Sequence, residues 1–449
     1  MAAATRRVTR RRGMTREAIT YLLWNDLVGV TRTRGVPTAD LPGKREAGLG
    51  WACAGQALTA FDSIVDNPWG PMDEARQIPD MASAFDYRGP TGEGWSAVIC
   101  DSRASVTEDW DCCPRSFYRR ALEALRAETG LGFCASFEHE FTLDAPSPVE
   151  AGFSFAAARR GNGFLQACCA ALRAAGVTPE SLEPEYGASQ YEIACAPDIG
   201  VAAADAVLKA REIIRAVAAD HGARVSFTPK PAPGAVGNGA HIHFSLVDAT
   251  SGGNVTHDPS DALGLSAAAS AFCAGILAHL EALVAITAPT PVSYYRLTPH
   301  AWSCGFKAIG LQNREAALRV APSPSPDPAR RRKGWNIEYR PSDGCASPYL
   351  ALGVLVLAGL DGIRRNLPLP PAIDRDPADM TGDERDALGI VPLPQSLDAA
   401  LDALEADDIA KGWFSPTLFE VYGRLKRWEA AMARESDEAS LFARYRNAY

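Results

Sequence analysis

The chain begins with short apolar runs and continues with longer helical periods. Runs such as YLLWNDLVGVTR and WSAVICD, broken by glycine and proline turns, extend to about residue 104 and are typical of short β-strands. From Pro114 to Gly130, apolar residues recur at the spacing of one helix face, and the glycine ends the pattern. The pattern therefore predicts a small β-rich unit followed by a helix.

Beyond residue 130, strand-like runs alternate with helical patterns rich in alanine and leucine. A stretch rich in proline and serine, 321–335, is predicted to be a loop that leads into four consecutive basic residues. This alternation predicts an α/β or α+β domain in which the strands form a central sheet. The predicted helices, the last of them amphipathic, are 161–176, 200–220, 262–287, 346–366 and 416–434.

Composition narrows the class of protein. The 449 residues are 47% hydrophobic and 22% charged, as in ordinary globular proteins, and the net charge of −9 argues against nucleic acid as a partner. We expect no membrane partner, because no apolar run approaches the roughly 20 residues of a membrane span and no signal peptide is visible. The cysteines form neither a disulfide framework nor a CxxC zinc pattern, which favours a reduced, cytoplasmic protein.

The first thirteen residues, MAAATRRVTRRRG, form a basic tail. A nucleic-acid arm or a targeting peptide would have this character, but a disordered leader is the simpler interpretation. Met14 is an alternative start of the protein. We therefore expect a disordered tail at 1–13 and a first domain that begins at residue 14.

Four short segments carry the candidate chemistry: FEHEFTL at 137–143, EYGASQYEIA at 185–194, GNGAHIHFSL at 237–246 and WNIEYRPSD at 335–343. They put five glutamates and one histidine into stretches that otherwise resemble buried strands. Carboxylates in such places are costly unless positive charge neutralises them. Oxygen-rich ligands favour Mg²⁺ or Mn²⁺ over structural zinc, so the sequence predicts a pair of such cations. The six candidate ligands are Glu138, Glu140, Glu185, Glu192, His241 and Glu338.

Strand alternation strengthens this interpretation. Side chains two residues apart share a face, so Glu138 and Glu140 point the same way, as do Glu338 and Arg340. Each segment alone has an ordinary explanation: a Glu-x-Glu strand is usually a solvated sheet face, and GNG is by default a hairpin turn. Those explanations do not predict that the acids recur in strand contexts along one chain.

Together these segments resemble the glutamine synthetase family over nearly the whole chain. The match also rests on LVGVTRTRGVP at 27–37, on FTPKP, RLTPH and QNREAALRV, and on IEYRPSDGCASPYLALGVLVLAGLDGI at 337–363. The resemblance implies an α+β fold, with an N-terminal β-grasp domain at 14–104 and a catalytic domain at 105–449 whose antiparallel sheet forms half of a funnel. It also implies self-association into rings, typically dodecamers of two hexamers, in which neighbouring subunits complete each active site.

The resemblance assigns the metal ligands to two cations. It also implies that ATP is the co-substrate. Glu140, Glu185 and Glu192 would hold the first cation, and the second would lie among Glu138, His241 and Glu338. Arg314 and Arg319 match the arginines that clamp the phosphoryl group and the nucleotide. The remaining residues that match nucleotide contacts are His243, Ser245 and Lys333.

The residues that recognise glutamate also carry over from the family. Arg296 matches the arginine on the α-carboxylate, Arg340 the arginine near the γ-carboxylate, and Gly237 the glycine whose backbone meets the amino group. Asp62 resembles the aspartate that deprotonates ammonium from the neighbouring subunit, with Asp66 as a rival.

Three positions depart from the pattern of the ammonia-using enzymes of the family. Where those enzymes carry a loop glutamate that helps bind ammonium, this chain has Trp302, whose ring offers an amine apolar contact and a cation–π face. Val236 stands where they have an asparagine near the glutamate. The region around Met380, within 367–395, has no tyrosine for adenylylation, so we expect no control by that modification.

The resemblance and the departures together predict a γ-glutamylamide synthetase. Such an enzyme uses ATP to phosphorylate the γ-carboxylate of L-glutamate and then transfers the γ-glutamyl group to a primary amine. One alternative is glutamine synthetase itself, with ammonia as the acceptor and Trp302 merely packing the loop. Another is a non-catalytic ring protein, against which the six retained metal ligands argue.

Overall fold

The structure is a computed structural model that describes residues 17–144 and 150–449. The basic tail predicted at 1–13 and the start of the first domain at residue 14 lie outside the described residues. The predicted boundary between residues 104 and 105 stays a prediction, although the two main sheets lie on either side of it.

The first sheet has the parallel central pair of a β-grasp fold. Strands β1 and β6 are parallel neighbours, and every other pair in the sheet order β2-β1-β6-β4-β3 is antiparallel, with β5 added to β6. A short helix, α1 (Leu41–Ala47), follows β2. The strands are β1 (Ile19–Asn25), β2 (Thr31–Pro37), β3 (Leu49–Ala52), β4 (Glu74–Pro79), β5 (Phe85–Arg88) and β6 (Gly94–Arg103).

The second sheet is the predicted antiparallel sheet, with one exception. Its order is β13-β14-β15-β12-β7-β9-β8, with β10 and β11 also paired to β7. Among the described strands of this sheet, only β13 and β14 run parallel. The strands are β7 (Leu131–Leu143), β8 (Pro179–Pro184), β9 (Gln190–Cys195), β10 (Asp198–Ile199), β11 (Val225–Ser226), β12 (Ile242–Asp248), β13 (Phe306–Leu311), β14 (Ala316–Ala321) and β15 (Asn336–Tyr339).

Some helix ends agree with the predicted ranges, and others differ by several residues. The first long helix starts at Pro114 and is capped by Gly130 in the left-handed region, with φ of 70°, as predicted. The α-helices after α1 are α2 (Pro114–Thr129), α3 (Phe155–Ala174), α4 (Val201–Asp220), α5 (Ala267–Ala278), α6 (Leu280–Thr287), α7 (Pro328–Gly334), α8 (Pro348–Arg364), α9 (Gly382–Leu388), α10 (Leu397–Ala406), α11 (Asp408–Lys411), α12 (Pro416–Glu435) and α13 (Glu438–Ala448).

Two predictions about helices were wrong. The continuous helix predicted at 262–287 is two helices, α5 and α6, bent by 77°. The bend is at His279, whose ring nitrogens lie 3.0 Å from Asp361 and 2.6 Å from Asp407. The loop predicted at 321–335 contains the short helix α7, which begins after an Asp327 side chain that caps its first N–H groups.

Within residues 17–144 and 150–449, none of the helices is by itself long and apolar enough to cross a membrane; only the bent pair α5 and α6 together reaches the necessary length and composition.

A buried arginine joins the first sheet to the helices behind the second. Arg115, on α2, is 2% exposed and forms two hydrogen bonds to Asp205 on α4, of 3.0 and 2.7 Å. It also contacts Asp101 on β6 at 2.7 Å and Asp80 at 2.8 Å. Because removing Arg115 would leave the buried carboxylate of Asp205 without a cationic partner, we infer that this cluster helps to fix how the two sheets are placed.

Helices α5 and α8 pack backbone against backbone. A Cβ atom at Gly362 would lie 2.1 Å from the carbonyl oxygen of Ala271, and one at Gly275 would lie 2.1 Å from that of Ala358. Only glycine fits such an approach. These helices lie in the main hydrophobic core together with residues of β7 and β12, so their spacing supports the central strands of the second sheet.

We expect Gly362→Ala to lower the free energy of unfolding by about 1–3 kcal/mol, because the added methyl group forces the two helices apart. The matched control is Gly423→Ala on α12, where a Cβ atom meets nothing within 4 Å, and which should stabilise by about 0.5–1 kcal/mol. Urea unfolding of both variants measures the difference. Equal stabilities would contradict the close packing.

Candidate active site

The acidic residues meet on neighbouring strands of the second sheet. Glu138 and Glu140 lie on the central strand β7, and Glu140 is directly opposite Glu192 on β9. On the other side, Glu338 on β15 is opposite both His243 on β12 and Arg319 on β14. Residues directly opposite each other share a face, so the register brings distant segments of the chain to one place.

The first cluster is built around Glu138 and two histidines. The Glu138 carboxylate lies 3.1 Å from Nδ1 of His241 and 2.9 Å from Nε2 of His243. Nδ1 of His241 is also 3.6 Å from carboxylate oxygens of Glu140 and Glu338. Burial raises the pKa of Glu138, but hydrogen bonds from the two histidines outweigh it and hold the pKa well below its usual range.

Two arginines neutralise Glu338, which is fully buried. Arg319 donates a hydrogen bond of 2.6 Å to Oε2, and Arg340 donates to Oε1. Burial acts against the charged form, but the Arg340 charge helps to lower the pKa of Glu338. The Nε atoms of both arginines are buried and have no hydrogen-bond partner among the described residues. Such donors suit a carboxylate or phosphate group of a substrate.

The second cluster contains carboxylates without matching positive charge. Glu183, Glu185 and Glu192 lie within 4.8 Å of one another, measured between carboxylate oxygens. Burial, followed by the charge of Glu140, raises the pKa of Glu185 to about 7. Burial and then the charges of Glu138 and Glu140 raise the pKa of Glu192 to about 10. The cluster therefore favours a bound cation.

Both clusters fit the divalent cations that the sequence predicts. The first offers Glu138, His243 and Glu338, with one ligand atom each within 4.8 Å, and the second offers the three carboxylates just described. Both donor sets are mainly carboxylate oxygen, which suits Mg²⁺ or Mn²⁺. The closest triads contain His243 in place of the predicted His241 and Glu183 in place of the predicted Glu140. The division of ligands between two cations stays a prediction.

Sequence reasoning missed Glu183. It lies on β8 opposite Glu192, so the row Glu140, Glu192 and Glu183 crosses three adjacent strands. Its spacing of two residues from Glu185 was the available signal, because such residues share a strand face.

The GNG turn brings its backbone against the site. Gly239 donates its N–H to Glu140 at 2.8 Å, and a Cβ atom there would lie 2.5 Å from a guanidinium nitrogen of Arg296. A Cβ atom at Gly237 would be 3.0 Å from the Arg296 side chain. Arg296, 4% exposed, also approaches Nε2 of His241 at 2.9 Å. The turn thus places two of the predicted glutamate-binding residues, Gly237 and Arg296, in contact.

Gln190 and Asn238 hold this turn in place; both lie in the segments that carry the candidate chemistry, but neither was predicted to have a role. The Gln190 side chain on β9 donates to the carbonyl of Gly237 at 2.7 Å and to the Asn238 side chain at 2.8 Å. Asn238 is fully buried and donates to the carbonyl of Thr228 at 2.9 Å. Their role depends on contacts 48 and 10 residues away in sequence.

A cleft of about 960 Å³ opens beside the first cluster. Its walls include three of the predicted nucleotide-binding residues, His243, Ser245 and Lys333, together with Arg330 from the same basic run. Arg319 lies next to Glu338 instead. Arg330 and Lys333 of α7 and the Glu138 carboxylate of the first cluster thus lie at one cleft, as binding of a metal-complexed polyphosphate requires.

Other predicted residues lie on exposed loops. Arg314 is exposed in the turn between β13 and β14. Asp62 is exposed and has a positive φ of 61°, while its rival Asp66 forms an ion pair with Arg424. Val236, before the GNG turn, is 45% exposed. The roles assigned to these residues stay predictions.

Trp302 lies on an exposed loop beside the second cluster. Its side chain is 58% exposed and meets the ring of Tyr186 edge to face, with ring centres 6.2 Å apart. Tyr186 meets Phe153 in the same way at 5.0 Å. We call these three residues the aromatic wall. Because Tyr186 follows Glu185 directly, the wall borders the unneutralised carboxylates.

Comparisons with known proteins agree with this geometry. A family model described as glutamine synthetase, catalytic domain, matches residues 111–445. Gamma-glutamylpolyamine synthetase GlnA3 of Streptomyces coelicolor is 34% identical over 95% of this chain and 93% of its own length. Glutamine synthetase of Methanocaldococcus jannaschii is 33% identical over 84% of this chain and 82% of its own length. A crystal structure of a novel glutamine synthase homolog, 37% identical, superposes with a TM-score of 0.89 over 98% of this chain and 100% of that one.

We expect Mg²⁺ or Mn²⁺ to raise the midpoint of thermal unfolding, because the clusters form only in the folded chain. At a cation concentration 100 times Kd, binding at one site adds about 2.7 kcal/mol. Glu192→Gln should lose much of this response, whereas Glu128→Gln, at an exposed ion pair with Arg364, should keep it. An undiminished response in Glu192→Gln would contradict the assignment of that residue.

Proposed function

The chain belongs to the glutamine synthetase family, and we propose that it is an ATP-dependent ligase that joins the γ-carboxyl group of L-glutamate to a primary amine. The observation that carries this proposal is the aromatic wall beside the acidic cluster. The similarity to a relative named for polyamine glutamylation supports it.

The reaction proceeds in two steps. An oxygen of the glutamate γ-carboxylate attacks the γ-phosphorus of ATP, forming γ-glutamyl phosphate and releasing ADP. The neutral amine then attacks the acyl carbon, the C–N bond forms, and the bond from carbon to the bridging phosphate oxygen breaks with loss of phosphate. The amine must lose one proton before attack and another before the amide is complete. Asp62 of a neighbouring subunit is the proposed acceptor of the first proton.

When bound, divalent cations would supply electrostatic stabilisation of the transferred phosphoryl group. The residues that would hold them are the carboxylates and histidines of the two clusters. Arg319 adds positive charge next to Glu338, and Arg314 is proposed to reach the phosphoryl group from its exposed turn. Ser245, His243 and Lys333 are proposed to bind the nucleotide from the cleft wall.

Three residues orient the acid substrate in this proposal. Arg296 binds the α-carboxylate and Arg340 the γ-carboxylate, while the backbone of Gly237 meets the amino group. The unpartnered Nε of Arg340 supports its part, because a buried donor gains most from a charged acceptor.

The aromatic wall binds the acceptor. A protonated amine is attracted to the faces of Tyr186 and Trp302, and its alkyl chain gains apolar contact there. Ammonium has no alkyl chain and gains little.

Ammonia as the acceptor is the second candidate, favoured by the similarity to the M. jannaschii glutamine synthetase. Under either candidate we propose that subunits associate in rings. The exposed position of Asp62 supports this, because the residue is available to another subunit.

We expect phosphate release from ATP and glutamate to be faster with primary amines than with ammonia. The assay compares ammonia with short alkylamines, hydroxyalkylamines, aromatic amines and polyamines, each at a range of concentrations, with product mass as confirmation. Fastest turnover with ammonia would favour glutamine synthetase. No turnover with any acceptor would contradict catalysis.

The variant Trp302→Glu is expected to shift preference toward ammonia by about tenfold or more in relative kcat/KM. The change removes the ring and restores a carboxylate able to bind ammonium. Steady-state kinetics with both acceptors measure this ratio, and Trp413→Phe, on a remote aromatic contact, serves as the control. An unchanged ratio would show that the loop does not select the acceptor.

A further inference from the structure

The peptide groups on both sides of the Trp302 Cα atom are held by residues of the site. Its N–H donates to Oε1 of Glu315 at 2.9 Å, and its carbonyl accepts a hydrogen bond of 2.6 Å from Arg340. Glu315 lies between β13 and β14, and Arg340 directly follows β15. Two residues that adjoin strands of the second sheet therefore fix the backbone of Trp302, in the loop between α6 and β13.

The loop conformation depends on such bonds. Trp302 has a φ of 54°, and His300 and Cys304 in the same loop have φ of 58° and 64°. Bulky residues rarely adopt this region, so surrounding contacts must stabilise it. The Trp302 ring is more than half exposed, and its ring contact is with Tyr186. Packing of the ring alone therefore leaves the backbone weakly fixed.

Glu315 is itself well anchored. Its N–H donates to the Asn313 side chain at 3.0 Å, and Asn313 in turn donates to the carbonyl of Arg375 at 3.0 Å. The charged groups near its carboxylate are Asp376, Arg340 and His300. The His300 ring contacts Asp376 at 2.9 Å, which ties the same loop to the same neighbouring segment. Glu315 is thus a fixed acceptor to which the loop is attached.

We propose that Glu315 is a positioning residue that holds the Trp302 ring against the acceptor and thereby sets acceptor preference. The inference rests on the proposed function, because it concerns the same acceptor site. Arg340 holds the other side of the same residue through its hydrogen bond to the Trp302 carbonyl. Since Arg340 is also the proposed γ-carboxylate ligand, this bond links the acceptor wall to the acid-binding site.

The test compares Glu315→Ala with Glu315→Gln. The alanine variant should raise the KM for the preferred amine about tenfold, the effect of one lost hydrogen bond to a charged group, with kcat and the KM for glutamate within twofold of wild type. The glutamine variant should recover most of the loss, because its amide oxygen accepts the same N–H. Glu128→Ala, at a remote surface ion pair, controls for loss of an exposed glutamate.

Hydrogen exchange of residues 298–305 provides a readout that does not need turnover. Glu315→Ala should exchange faster in this loop than wild type, and Glu315→Gln should not. The inference is overturned if the alanine variant keeps the wild-type KM for the amine, or if loop exchange is unchanged. If no amine is a substrate of the wild-type protein, the proposed function fails, and the exchange experiment still decides whether Glu315 holds the loop.

Discussion

The central constraint in this structure is an excess of buried negative charge at the middle of the catalytic sheet. Arginine and histidine neutralise one half: Glu338 pairs with Arg319 and Arg340, and Glu138 pairs with His243, whose pKa rises to about 9 because burial is outweighed by hydrogen bonding to Glu138. The other half has no such balance. No lysine or arginine in the described chain forms an ion pair with Glu183, Glu185 or Glu192, and their arrangement is stable only if a cation arrives or protons bind.

Much of the surrounding fold serves to hold that charge in place. The thirteen-residue strand β7 carries two of the acids and pairs with β12 over residues 131–137 and with β9 over residues 138–142. The GNG turn passes so close to Arg296 that a side chain at Gly239 would collide with it. Behind the sheet, the glycine contact of α5 with α8 sets the spacing of the supporting layer. The packing of these surroundings thus offsets the unfavourable free energy of the clustered carboxylates.

Local patterns in the sequence were sufficient wherever the determinant was itself local. Strand alternation predicted that Glu138 and Glu140 share a face, and a glycine predicted the end of α2, which the structure confirms. Local patterns failed where a distant contact decides. The break at His279 depends on Asp361 and Asp407, 82 and 128 residues away. Glu183 joins the acids only through the pairing of β8 with β9.

The two halves of the proposed reaction differ in how completely one chain encloses them. Arg340, assigned to the γ-carboxylate, and Glu338, assigned to a cation, are buried within the subunit at 1% and 0% exposed, whereas Arg314, assigned to the phosphoryl group, is exposed. The groups assigned to the acceptor are open: Tyr186 and Trp302 are each 58% exposed, and Phe153 is 47% exposed. A contiguous group of exposed aromatic rings is typical of a surface that binds a ligand or another protein. In the proposed reaction, the γ-carboxylate therefore meets an arginine that one chain already holds in place. The proposed acceptor site lies on a surface loop held by two hydrogen bonds and is completed by a neighbouring subunit, so we expect acceptor choice to be the more readily changed property.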